Sequence, residues 1–111
     1  MNQRYVGEMV KACAERRWRR LCVVGGSPNA REELERLVAG RLELRLVDGT
    51  RARTDKEARA DLTWSHCVVL WGSTQLDHKV SEHYTGPRVT TVARRGIAEL
   101  AKEVVAAARR E

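Results

Sequence analysis

Two short, continuous apolar runs, Leu21-Cys22-Val23-Val24 and Cys67-Val68-Val69-Leu70-Trp71, each closed by glycine, constrain this chain more than any other feature. Neither alternates with polar residues, and neither is long enough for a helix. Runs of this kind suit strands buried on both faces, as in a parallel sheet with helices packed on either side. Each leads into a segment of helical spacing, so the connections read as crossovers rather than hairpins.

The flanking segments complete the pattern. Residues 2–18 set Val6, Met9, Val10 and Cys13 on one helical face, which predicts an amphipathic helix ahead of the first strand. Beyond Gly25-Gly26 either Ser27 or Asn29 can cap the next helix: Pro28 suits a first helical position, and Asn29 to Glu32 has capping-box spacing. Leu34, Leu37 and Val38 form its inner stripe, and Gly40 ends it. Leu42–Val47 alternates as an edge strand does and meets a turn at Asp48-Gly49. Thr54 and Glu57 open a helix running to about Leu62, and His66–Trp71 is the third strand. A helix from Gly72-Ser73-Thr74 carries Leu76, Val80 and Tyr84 inward until Gly86-Pro87. Arg88–Ala93 is the fourth strand, and Gly96 introduces a last helix with the inner stripe Ile97, Leu100, Ala101, Val104, Val105 and Ala108.

The expected class is therefore α/β: a three-layer, Rossmann-like or flavodoxin-like domain with a four-stranded parallel sheet in the order 2-1-3-4. Residues 1–19 add an N-terminal amphipathic helix to four strand–helix units over 20–111. With 111 residues and no repeat or linker-like tract, the chain suits one domain. In this strand order, the N- and C-terminal helices share a face with the helix after strand one.

Lys plus Arg outnumber Asp plus Glu by 21 to 15, a net charge of +6. The excess is mostly arginine and gathers at Arg16-Arg17-Trp18-Arg19-Arg20, Arg51-Ala52-Arg53, Arg94-Arg95 and Arg109-Arg110. Guanidinium groups fork onto phosphate or carboxylate, so nucleotides, nucleic acid and acidic proteins are all candidate partners. Solvated helix faces explain the same residues without a partner. Cys13, Cys22 and Cys67 form no CxxC pair, and two of them sit in apolar runs, which suits a reduced, cytoplasmic protein. No apolar run approaches a membrane span or a signal peptide, so no membrane association is expected.

Ligands of open parallel sheets collect beyond the carboxyl ends of the strands, here between strands one and three. The loops converging on that crevice supply Gly25, Gly26, Ser27, Asn29, Asp48, Ser73, Thr74, His78, Arg94 and Arg95 as candidate ligand contacts. Glycine-rich helix starts can hold an anion, although the same glycines serve tight turns. Neither loop matches a Walker A sequence or a full GxGxxG. Trp71 could stack a base at the crevice or pack in the core. His66 and His83 read as structural, and Cys67, His78 and His83 lack the geometry of a zinc set. No metal, cofactor or catalytic residue is assigned, because no nucleophile elbow, Cys–His pair or acidic cluster is present.

At Leu21–Gly26, Asp48-Gly49, Asp61, Cys67–His78 and Arg95-Gly96 the chain resembles a family of small bacterial Rossmann-like domains, domain of unknown function 2325, over about residues 20–104. The resemblance implies the parallel α/β fold and favours Ser73, Thr74 and His78 as site residues. It brings no activity with it.

The leading expectation is a non-enzymatic binding or regulatory module that recognises a phosphate-bearing ligand, a nucleotide or a nucleic-acid backbone, at the strand-end rim. The second is a protein-interaction or homo-oligomerisation module using the basic N-terminal helix with Arg16, Arg17, Trp18, Arg19 and Arg20, docking an acidic protein or a second copy. A third, a small hydrolase or transferase with His78 as base, ranks last.

Overall fold

The protein is described by a computed structural model covering residues 1–51, 53–72 and 82–110. Among these residues, β1 (Arg20–Gly25) is buried from Leu21 onward and β3 (Cys67–Trp71) along its whole length. That two-sided burial is what their unbroken apolar runs require. The two pair in parallel, Leu21 beside Cys67 and Gly25 beside Trp71. β2 (Glu43–Val47) adds to the free side of β1, and β4 (Val89–Val92) to the free side of β3. The sheet is all parallel with strand order 2-1-3-4, the expected arrangement.

Alternation along the strands divides the core in two. Leu21, Val23, Cys67, Val69 and Trp71 face a layer built by α1 (Asn2–Glu15), α2 (Pro28–Val38) and α4 (Ile97–Arg109). Cys22, Val24, Val68 and Leu70 face Ala58 and Leu62 of α3 (Asp55–Trp64), together with Tyr84. The N-terminal helix is thus a structural member of the larger layer: Val6, Met9, Ala12 and Cys13 are buried, and it packs chiefly on α4.

Several element ends differ from the sequence reading, for local reasons. α1 stops at Glu15 rather than residue 18, because Arg17 takes a left-handed conformation (φ 63°). Arg17 N–H then bonds Ala14 O and Trp18 N–H bonds Cys13 O, the paired bonds of a Schellman ending with arginine where glycine is usual. Ser27, not Asn29, caps α2: its hydroxyl accepts from Ala30 N–H at 3.2 Å, and Pro28 takes the first helical position. Ala39, left-handed at φ 50°, ends α2 one residue before Gly40. The capping box of α3 forms as expected, with Thr54 and Glu57 exchanging bonds. Ser73, Thr74, Leu76, His78 and Val80 lie outside the described residues, whereas Tyr84 is buried beneath α3.

Candidate functional site

A parallel sheet sends all its strand ends to one edge and all its strand starts to the other. The C-terminal rim gathers Gly25, Gly26, Ser27, Asp48, Arg94 and Arg95 from separate loops. Gly25 and Gly26 both have positive φ, 98° and 78°. A Cβ at Gly26 would lie 2.4 Å from a carbon of the Trp71 ring, so the space in front of this glycine is filled by indole. Trp71 is wholly buried and belongs to the core. The Ser27 hydroxyl is engaged in its cap, and Asn29 is exposed on the first turn of α2. Asp48 accepts from the Thr50 hydroxyl (2.7 Å) and the Thr50 N–H (2.9 Å), bonds that hold its carboxyl below its ordinary range. Arg94 and Arg95 are exposed beside Gly96, which starts α4 without a side-chain cap. Ser73, Thr74 and His78 fall outside the described residues.

The opposite edge gathers a set of arginines from several elements. Helices in this architecture run back against the strands, so strand starts and helix C-termini meet there. Three strand entries bring arginine or histidine: Arg19-Arg20 before and at the start of β1, His66 before β3 and Arg88 before β4. The helix ends add Arg16 and Arg17 from α1, Arg41 after α2, and Arg109 and Arg110 from α4.

Some of these cations are fixed by neighbouring carbonyls. Arg41 donates to Val38 O (3.0 Å) and Leu37 O (2.7 Å), and Arg88 to Leu62 O and Ser65 O (3.2 and 3.3 Å). Arg20 donates to Trp64 O. Each satisfies carbonyls at a helix end, where a cation is also favoured by the helix dipole. Arg16, Arg17, Arg19 and Arg110 have no side-chain hydrogen bond or carboxylate partner among the described residues, although Arg16 stands 6.0 Å over the Trp18 ring.

His66 reports the local field. Its Nδ1 accepts N–H bonds from Arg19 (3.0 Å) and Arg20 (3.1 Å), so the ring is held neutral with its proton on Nε2. Burial and the charges of Arg20, Arg88 and Arg19 push its pKa below the ordinary value.

Two clefts open on this edge with Trp18 as their common wall. One, of about 620 Å³, lies between α1 and the start of β2 and is walled by Arg17, Arg19, Arg41 and one carboxylate, Glu43. The other, of about 450 Å³, is walled by Arg16, Arg88 and Arg110. Trp18 is half-buried, its backbone N–H bonded to Cys13 O and its side chain packed against the core.

No family model, curated protein or solved structure matches the chain.

Chemistry elsewhere is limited by burial. The Cys13 thiol is pushed up to about 11, and the Cys22 and Cys67 thiols to about 12, chiefly by desolvation. All three are therefore protonated and poorly nucleophilic at neutral pH. Among the described residues no group of His, Cys, Asp and Glu could hold a metal, and no helix is long and apolar enough to cross a membrane.

A second cluster accounts for arginines outside the basic face. Asp61 on α3, 1% exposed, accepts from Arg45 Nη1 (2.9 Å), Arg53 Nη2 (2.8 Å) and the Tyr84 hydroxyl (2.5 Å). Arg45 also lies 4.2 Å from the centroid of the Trp64 ring, and Arg53 reaches Glu57 at 2.9 Å. Burial opposes the charge on Asp61, but the bonds from Tyr84, Arg53 and Arg45 outweigh it and lower its pKa. This constellation ties β2, α3 and the segment before β4 together.

Sequence reasoning named the Arg16–Arg20 cluster but separated it from Arg41, Arg88 and Arg110. The signal was present: in a parallel α/β order, residues just before strands and just after helices share one edge.

Proposed function

We propose that this protein is a non-enzymatic binding module for a phosphate-bearing polyanion, engaged through the arginine face at the N-terminal edge of its sheet. One observation carries the reading: Arg16, Arg17, Arg19 and Arg110 line two clefts without a carboxylate partner among the described residues, while Arg20, Arg41 and Arg88 stand fixed beside them. A cluster of exposed cations attracts a polyanion, and phosphate offers the forked geometry that guanidinium matches. The nucleic-acid backbone supplies such groups in series, and its binding releases counterions.

The test is a salt titration of a labelled oligonucleotide against two charge-reversal variants. Arg16→Glu with Arg19→Glu is expected to weaken binding at least tenfold and to reduce the slope of log K against log salt by about two. Arg94→Glu with Arg95→Glu serves as the rim control and is expected to leave both nearly unchanged. No binding at low salt, or a loss confined to the rim variant, would overturn the proposal.

The second reading places a small phosphate compound at the C-terminal rim. It is favoured by Arg94 and Arg95, exposed and without an ion pair among the described residues, beside the start of α4, which has no side-chain cap. A salt-resistant rise in melting temperature with one nucleotide or sugar phosphate, lost in Arg95→Ala, is its signature.

A further inference from the structure

The geometry points to single-stranded nucleic acid as the polyanion, with a base stacked on Trp18 between phosphates held in the two clefts. This inference rests on the arginine-face reading and adds the class of ligand to it. Trp18 is the one aromatic side chain that lines both clefts. Cations stand on each side of it: Arg17, Arg19 and Arg41 in one cleft, Arg16, Arg88 and Arg110 in the other.

The ring is well placed for stacking. The residue follows the Schellman ending of α1, where its backbone N–H is bonded to Cys13 O at 2.8 Å, and its half-buried side chain packs against the core with the Arg16 guanidinium 6.0 Å over the ring. A side chain already packed against the core has less freedom left to lose on stacking than a fully exposed one. Of the other two tryptophans, Trp71 is wholly buried against Gly26, and Trp64 lines neither cleft, lying beneath Arg45 at 4.2 Å and Arg20 at 5.8 Å.

An aromatic flanked by cationic clefts fits an unpaired strand better than a duplex. In a duplex the bases are stacked on one another and cannot reach the ring without being flipped out. A strand without pairing exposes its bases, and stacking on aromatic side chains is a sequence-tolerant source of affinity. Glu43, the carboxylate in the larger cleft, opposes three cations there, so the cleft keeps a net positive charge.

The experiment compares four ligands, an oligothymidylate of about fifteen nucleotides, a duplex of equal length, heparin and poly-glutamate, on the intact protein and on Trp18→Leu and Trp18→Phe. Expected results are tighter binding of the oligothymidylate than of the duplex, and a loss of about fivefold or more for oligothymidylate in Trp18→Leu. Trp18→Phe should recover most of that loss, and heparin affinity should stay within about twofold across all three proteins. The constant heparin affinity shows that Trp18→Leu keeps the folded basic face. If the oligothymidylate, the duplex and heparin bind alike, and Trp18→Leu weakens none of them, the stacking inference falls while the polyanion reading stands. If poly-glutamate binds more tightly than the oligothymidylate, the ligand is an acidic protein and the inference falls. If nothing binds the intact protein at low salt, the arginine-face reading falls with it.

Discussion

Gly26 and Trp71 act as one packing unit, and this changes what the first glycine loop is for. The dipeptide Gly25-Gly26 is legible in sequence as a tight turn, and a turn with positive φ suits glycine whatever lies in front of it. That the space before Gly26 is occupied by an indole was not legible, because the ring arrives from the neighbouring strand, far along the chain. A methyl group at Gly26 would both strain a left-handed backbone and collide with Trp71. Gly26→Ala is expected to destabilise the fold by about 2–4 kcal/mol, measured by urea unfolding. That is a large share of the 5–15 kcal/mol typical of a domain. An unchanged midpoint would mean that Trp71 has room to move aside.

The Asp61 cluster is the main electrostatic tie among β2, α3 and the segment carrying Tyr84, and it makes stability depend on acidity. The carboxyl titrates below its ordinary value when folded. Its contribution is therefore fully present above the unfolded pKa, roughly pH 4, and is lost as the pH falls through the folded value. Urea midpoints measured between pH 6 and pH 2.5 should fall at the acid end, and Asp61→Asn should flatten that fall. At neutral pH, Asp61→Asn is expected to remove about 3 kcal/mol, the lower end for breaking a buried pair. The discount follows because Arg45 and Arg53, 36% and 24% exposed, can still reach water. Parallel acid dependence in the two proteins would place the acid-sensitive group elsewhere. The elements themselves were legible from apolar period and caps, as Thr54 and Glu57 illustrate. Asp61 was noticed only through a family resemblance, since no periodicity marks a single buried acid in a polar helix.

Across the whole molecule, the fold separates two sets of arginines that composition alone merges into a charge of +6. Arg45 and Arg53 are paired in the Asp61 cluster, whereas Arg16, Arg17, Arg19 and Arg110 stand on the open face at the strand starts. The same architecture makes α1 indispensable, because its inner face covers the sheet together with α4. Val6 and Met9 are both fully buried, and each contributes about 1.5–3 kcal/mol. Removing residues 1–17 is therefore expected to abolish the cooperative urea transition and the near-ultraviolet circular dichroism. A truncated chain that unfolds at the original midpoint would show that the helix is an appendage. The sequence order already placed this helix beside the C-terminal one, and its apolar side is occupied there.

What the chain by itself determined is its local grammar: unbroken apolar runs set the central strands, helical stripes set the covering layers, and crossover length set a parallel order. These follow from burial and backbone geometry within a few residues of each other. The tertiary structure alone decided which arginines pair with Asp61 and which stand without a carboxylate among the described residues, and which tryptophan is core and which walls a cleft. Such outcomes depend on distances between groups remote in sequence, and electrostatics and packing act through those distances rather than along the chain.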